Sequence, residues 1–457
     1  MVKLTFCGGA GMVTGACYLL ETDTTKVLVD CGMFQGSRFS ELLNHDPFPF
    51  DPTTVDVVLL THAHIDHVGR LPKLVKEGFR GKIYATSPTL DFARALLADA
   101  AHVMRSEQKW EGTEPLYEEK DTEAVFPLTI PVAYNEKVPV APGMTAVFHD
   151  AGHILGSSII EAFVSEKGKE RPTKVVFSGD LGNSPTPLLN DTTVIHEADF
   201  ALIESAYGDR MHESHKETKD MLEDVIEETI AQGGVLLIPS FATERTQELL
   251  YELNELVEHG RIPKVPVFID SPLAIKITEV YKKHPEFYNK KAADLVRSGD
   301  NIFQFPGLRF TPTPEDSKAI NAVPPPKIIV AGSGMSHGGR ILHHEKLYLS
   351  DPRTTLLIIG YQAAGSLGRR LLEGAPSVRI IGADIPVRAR ITRITGYSAH
   401  ADQRQLLAWV EPMRMSLKKL FVVQGEAEVS SIFAQLVRDK LAVEAVVPKV
   451  GDSFELK

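Results

Sequence analysis

A buried strand that runs straight into a row of metal-type ligands constrains this chain more than any other feature. Val55, Val57, Val58, Leu59 and Leu60 lead into Thr61-His62-Ala63-His64-Ile65-Asp66-His67. An apolar run of this kind reads as a strand inside a sheet, and four potential ligands in six residues are not a helix cap. Imidazole and carboxylate suit zinc, with Zn–N near ~2.0–2.1 Å. His62 and His64 are two apart, so in an extended segment they share one face and can grip one ion. Asp66 and His67 follow the strand, where the chain can turn them toward a second ion. A polar surface loop is the plain alternative, and the density of ligand types disfavours it.

Two ions need further ligands. His153, in Asp150-Ala151-Gly152-His153-Ile154-Leu155-Gly156-Ser157, and Asp180, in Phe177-Ser178-Gly179-Asp180-Leu181-Gly182, both sit at a strand end next to glycine. An aspartate can bridge two ions through its two oxygens. Each residue alone is a weak signal, since a lone histidine near a strand is more often structural; beside the first segment both become ligand candidates. Asp30 ends the run Val27-Leu28-Val29. It suits an outer acceptor for a ligand histidine's second nitrogen, or a turn-forming aspartate.

The chain has 457 residues, more than the roughly 250–300 at which single cores stop growing, so two domains are expected. No apolar run approaches the ~18 residues of a membrane span. Met1 to Leu20 is broken by Gly8, Gly9, Gly11 and Gly15 and reads as a strand and turn, not a signal peptide, which favours the cytoplasm. Cys7, Cys17 and Cys31 form no metal knuckle and read as small buried hydrophobes. The net charge of -11 excludes a basic nucleic-acid coat. Between Lys327 and Arg393, however, ten Lys/Arg face four Asp/Glu, which suits a local lining for a phosphate-bearing substrate, or simply a solvated face. From Glu107 to Glu123 the balance is acidic, with seven acids and two bases.

Up to about residue 207, short apolar runs alternate with turns, as in stacked sheets. After Gly208 the rhythm changes to helix and strand in alternation, the pattern of a parallel sheet. Predicted helices cover His212–Gln232, Glu244–His259 and Leu273–His284, and predicted strands cover Val235–Pro239, Val265–Ile269 and Lys327–Ala331. From about Val387 strands return, with helices at Arg404–Ser416 and Val429–Lys440. A helix is also expected at Thr89–Gln108, followed by an exposed polar stretch through Asp121. His343 and His344 fall within a predicted helix and read as packing or surface residues.

The pattern H-x-H-x-D-H followed by His153 and Asp180 resembles the metallo-β-lactamase superfamily, whose members fold as an αβ/βα sandwich with metals at the sheet edge. The second architecture resembles the β-CASP group, in which a Rossmann-like domain is inserted into that fold. Leu202-Ile203-Glu204-Ser205-Ala206-Tyr207-Gly208 resembles its acidic motif A. Ile238 to Leu249 resembles the inserted domain's strand-to-helix turn, and Gly396-Tyr397-Ser398-Ala399-His400-Ala401-Asp402 resembles its histidine motif B. The resemblance is to bacterial and archaeal relatives of the pre-mRNA cleavage and polyadenylation endonuclease. It implies a first part of the lactamase fold at 1–208, an insert at 209–386 and the last part at 387–457.

One position departs from the pattern. The group's motif C places a histidine where this chain has Gln424, in Val422-Val423-Gln424-Gly425-Glu426. An amide oxygen is a weaker zinc ligand than imidazole, so Gln424 would be a weak partner for the second ion. The resemblance implies two zinc ions that activate a bridging water and neutralise phosphate oxygens. His62, His64, His153 and Asp180 would hold one, and Asp66, His67 and Asp180 the other; the same set also accepts manganese. It further implies His400 as general acid, oriented by Glu204. Helix-start packing and a surface acid are the bland alternatives for these two residues.

The substrate implied is single-stranded RNA, and a homodimer is implied without a residue to anchor it. The glycine-rich stretch Gly332–Gly339, with Ser333 and Gly334, follows a strand and precedes a helix, as phosphate-binding turns do. Plain turns do so too. Arg340, Arg369 and Arg370 are candidates to line the RNA path. The leading reading is a zinc-dependent ribonuclease whose endo or 5′-exo mode the sequence leaves open. A small-molecule hydrolase of the same superfamily and a non-catalytic RNA-binding scaffold are the competing readings.

Overall fold

The computed structural model describes residues 2–36, 38–111, 114–166, 168–360, 362 and 365–457. Gly112 and Thr113, in the polar stretch expected to be exposed, lie outside the described residues. The chain forms two compact units. The first comprises Met1–Ser184, Asn190–Met211 and His400–Lys457, and the second comprises Pro185–Leu189 and His212–Ala399.

Two seven-stranded sheets build the first unit. One runs Ser453–Glu455, Lys3–Gly8, Cys17–Glu21, Lys26–Val29, Val57–Leu59, Lys82–Thr86, Thr129–Val132. Its first four strands are antiparallel and the rest join in parallel. The other runs Ala445–Val446, Lys419–Val423, Phe200–Glu204, Thr173–Phe177, Ser158–Val164, Met144–Asp150, Lys137–Ala141. Here the first four are parallel and the rest antiparallel.

Side chains two apart on a strand share a face. Leu4, Phe6, Tyr18, Leu20, Val27 and Val29 of the first sheet therefore meet Phe148, Ile160, Ala162, Val175 and Phe177 of the second in one buried core. Each such large side chain contributes roughly 1.5–3 kcal/mol by leaving water. The intervening residues of the second sheet, Ile159, Val176, Ala201, Ile203 and Val422, pack on Leu406 and Trp409 of helix Gln403–Val410 and on Phe433 and Val437 of helix Ala427–Leu441. This is the expected αβ/βα sandwich.

The second unit carries a six-stranded, wholly parallel sheet: Leu308–Phe310, Val267–Asp270, Lys327–Ala331, Val235–Pro239, Thr355–Ile358, Arg390–Arg393. Every residue of Val235–Pro239 and Lys327–Ala331 is buried, as a sheet covered on both faces requires. The compact unit runs to Ala399 where the sequence suggested 386. The reason is strand pairing: Arg390–Arg393 lies parallel to Thr355–Ile358 and so completes this sheet. Strands Thr129–Val132, Lys137–Ala141 and Ser453–Glu455 were not expected.

Candidate active site

The expected ligands lie just beyond the ends of strands of the first unit. His62 and His64 follow Val57–Leu59, and Asp66 and His67 fall in the short helix Ile65–Val68. His153 occupies the turn between Met144–Asp150 and Ser158–Val164, and Asp180 follows Thr173–Phe177. Gly152 and Gly179 make the last two turns possible, with φ of 67° and 55°. A Cβ on Gly152 would stand 2.9 Å from the Asn190 carbonyl, and one on Gly179 2.7 Å from the Thr61 Cβ. No larger residue fits either place without a shift.

Four ligand atoms converge. His62 Nε2 is 3.1 Å from His64 Nδ1 and 3.4 Å from Asp180 Oδ2. His153 Nε2 is 3.1 Å from His64 Nδ1 and 3.5 Å from Asp180 Oδ2. Ligands of one zinc-sized ion stand about 3.3–3.4 Å apart, and these atoms have the spacing of metal ligands. Burial pushes the His64 and His153 imidazoles well below their ordinary value, and the neighbouring rings push the same way. Both therefore stay neutral, with lone pairs available to a cation. Burial opposes the charge on Asp180, yet the His67 and His62 rings hold its carboxyl well below the usual range.

Among the described residues, two groups of three or more ligand atoms lie within 4.8 Å of one another: His62, His64, His153, Asp180 and Asp180, Glu204, His400. Asp66 and His67 belong to neither. His67 instead has Nδ1 2.8 Å from Asp30 Oδ2, and its Nε2 stands 3.3 Å from Asp180 Oδ1. Asp30 also accepts from the Thr61 backbone N–H at 2.8 Å and from Thr61 Oγ1 at 2.7 Å. One buried carboxylate thus fixes both the ligand segment and the His67 ring. Burial raises the Asp66 carboxyl, partly offset by the charge of His67.

The second group is a histidine–carboxylate pair. His400 Nδ1 lies 3.1 Å from Glu204 Oε2 and 3.9 Å from Asp180 Oδ2. Glu204 is buried and also accepts from the Leu181 N–H at 2.7 Å. Burial disfavours an imidazolium at His400, but the Glu204 charge and hydrogen bond outweigh it and bring the pKa up to about 9. The ring stands beside the four-ligand group. Backbone pairing sets its place: His400 bridges to Gly182, and the Ala401 N–H donates to Leu181 at 2.8 Å.

The phosphate and RNA candidates of the second unit are engaged differently. In the glycine-rich turn, the N–H groups of Ser333, Ser336, His337, Gly338 and Ile341 all bond within the turn. Arg340 donates to Asp270 Oδ1 at 2.8 Å and to the Thr311 and Pro312 carbonyls at 2.6 and 3.0 Å. Asp270, fully buried, also receives His344 Nε2 at 2.7 Å, Ser317 Oγ at 2.7 Å and Thr311 Oγ1 at 2.8 Å. These N–H groups and Arg340 are thus engaged within the unit, and His344 packs inside this cluster as expected. Arg369 pairs with Glu373 one helical turn away, and Arg370 is exposed.

Residues with no ligand chemistry complete the first site. Tyr18, on strand Cys17–Glu21, donates its hydroxyl to Gln424 Oε1 at 3.3 Å. Ser205 Oγ donates to the Val423 carbonyl at 2.8 Å, tying the Glu204 strand end to that of Gln424.

Comparison with known proteins agrees with this geometry. Residues 19–201 match the metallo-beta-lactamase superfamily domain, residues 246–371 the Beta-Casp domain, and residues 384–448 the Zn-dependent metallo-hydrolase RNA specificity domain. Ribonuclease TTHA0252 of Thermus thermophilus is 42% identical over 422 residues, covering 92% of each chain. The chain is a β-CASP member of the metallo-β-lactamase superfamily. Transcription termination factor FttA of Methanosarcina mazei is 32% identical, over 97% of this chain and 70% of that protein. A solved protein of unknown function from Enterococcus faecalis V583 shares the fold, with a TM-score of 0.55 at 11% identity over 99% of each chain. As a superfamily member the chain is a binder of divalent metal, and both groups of metal-type side chains include Asp180. Among the described residues no helix is long and apolar enough to cross a membrane.

Proposed function

We propose that this chain is a zinc-dependent ribonuclease that hydrolyses phosphodiester bonds in single-stranded RNA. The observation that carries the reading is the converging His62/His64/His153/Asp180 group with His400 3.9 Å from Asp180. A divalent cation bound there supplies Lewis acidity, lowering the pKa of water and neutralising charge on phosphate oxygens.

The chain's own residues do the rest. Asp66, raised by burial, takes up a proton from the attacking water. His400 gives its proton to the leaving oxygen, and Glu204 holds the ring and compensates its charge. Asp30 fixes the His67 tautomer by accepting from Nδ1. A 42% identical relative that bears the name ribonuclease, and the match to an RNA specificity domain, support RNA as substrate. Arg369 and Arg370 are assigned to phosphate contacts. Ser333, Gly334 and Arg340 lie in the turn beside Asp270, and their part in substrate binding belongs to this reading. The homodimer implied by the resemblance belongs to this reading, as does the cytoplasmic location, and sedimentation velocity tests the first.

The deciding experiment is cleavage of a 5′-labelled single-stranded RNA by zinc-loaded protein, beside an Asp180→Ala control. Cleavage is expected in the wild type and a fall of at least about a hundredfold in the control. Product lengths separate endonuclease from 5′-exonuclease action. Intact RNA in the presence of confirmed bound zinc would overturn the reading.

A further inference from the structure

The family implies a second ion on Asp66, His67 and Asp180, and the structure shows what stands there. Gln424 follows strand Lys419–Val423 in the left-handed region, with φ of 47°. Its backbone N–H donates to the Gly9 carbonyl at 2.7 Å, which fixes the residue. The side chain is 3% exposed, and its Nε2 lies 2.6 Å from Asp180 Oδ1 and 2.9 Å from His67 Nε2. These two atoms, 3.3 Å apart, are the ones a second cation would have to bridge.

Donor and acceptor accounting fixes the amide's direction. An ionised carboxylate only accepts, so the nitrogen end faces Asp180. Turned round, two oxygens would meet 2.6 Å apart with no proton between them. The same amide nitrogen stands 2.9 Å from His67 Nε2, and the other ring nitrogen faces the Asp30 carboxylate at 2.8 Å. The amide oxygen at the other end accepts from Tyr18 at 3.3 Å. The amide thus lies against both His67 Nε2 and Asp180 Oδ1 and donates to the carboxylate.

We propose that Gln424 closes the second ion position with its amide N–H groups, so that the chain holds a single ion on His62, His64, His153 and Asp180. Gln424 is then a positioning residue. It ties Asp180 Oδ1, leaving Oδ2 to face His62 and His153 at 3.4 and 3.5 Å. A carboxylate that bridges two ions elsewhere becomes a one-oxygen ligand here. The inference rests on the metal-hydrolase reading above.

The test is metal content of the full chain, reconstituted with zinc, dialysed against metal-free buffer and measured by elemental mass spectrometry. The wild type is expected to keep about one ion, and Gln424→His about two, because imidazole replaces a donor by a lone pair. Gln424→Glu, the isosteric change, makes the same conversion should the histidine variant fail to fold. In both variants the second ion is expected to bind at least about tenfold tighter than in the wild type. Two ions in the wild type would overturn this inference alone and leave the hydrolase reading standing. One ion in the wild type and in both variants would show that something other than Gln424 closes the position. No retained ion in the wild type would defeat the metal reading and this inference together.

Discussion

Two buried aspartates, Asp180 in the first unit and Asp270 in the second, stand at or just beyond strand ends among histidines, and their surroundings are opposite in kind. Around Asp180 Oδ2 the neighbours are the ring nitrogens of His62 and His153, with His64 Nδ1 beside both. Burial keeps the rings of His64 and His153 neutral, so lone pairs face lone pairs and a carboxylate. Around Asp270 the neighbours are an arginine, two hydroxyls and a histidine, all positioned to donate. Burial opposes the charge on Asp270, yet those hydrogen bonds, led by His344, lower its pKa to about 2. The lesson is that burial and a histidine neighbour do not make a metal site. What makes one is an excess of acceptors over donors, and only the first cluster has it.

The sharpest break between the two is expected from deleting each carboxylate. Asp180→Ala should lose bound zinc and lower RNA cleavage by a factor on the order of 10³, read by metal content and initial rates. An Asp180→Ala protein that kept both would erase the distinction.

Next in size is His400→Ala, expected to lower the cleavage rate by about 10²–10⁴-fold, with zinc content unchanged. Loss of zinc from that variant would move His400 from proton donor to ligand.

Asp270→Ala should leave zinc in place and destabilise the fold by roughly 3–5 kcal/mol, since it strands Arg340 and buried His344 without their partner. Chemical denaturation checks the loss. A stable variant with altered metal content would mean that this cluster had been misread as structural.

The smallest effect concerns Glu345, beside His344. Burial lifts its pKa to about 8, although the Ser336 hydroxyl pulls it down. A carboxyl raised on folding binds more protons folded than unfolded. Its contribution is present below the ordinary value of 4.5 and is lost as pH rises toward 8. Glu345→Gln should therefore gain stability over the wild type between pH 5 and 9, reaching on the order of 1–3 kcal/mol at the alkaline end. Parallel melting curves at both pH values would remove Glu345 from the buried acids.

The same contrast explains what the sequence made legible. The His62–His67 segment stood out because its ligands are local: one strand and one turn bring them together. The parallel sheet was legible from alternating helices and apolar strands, down to Val235–Pro239 and Lys327–Ala331. The pairing of His400 with Glu204 was not legible from the residues themselves. They are 196 positions apart. His400 reaches its place by bridging to Gly182, and Glu204 ends a strand that pairs in parallel with Lys419–Val423. The Asp270 cluster was hidden for the same reason, with His344 74 positions away. The glycine-rich turn was ambiguous because its composition fits both a phosphate cradle and a self-bonded loop. Only the direction of its N–H groups separates the two.

The most direct test of the contrast is an anomalous difference map at the zinc absorption edge, from crystals of the wild-type chain grown with zinc. The account predicts a strong peak enclosed by His62, His64, His153 and Asp180, and none at Asp270. A map with no peak at the first cluster, or with zinc on Asp270 and His344, would contradict it.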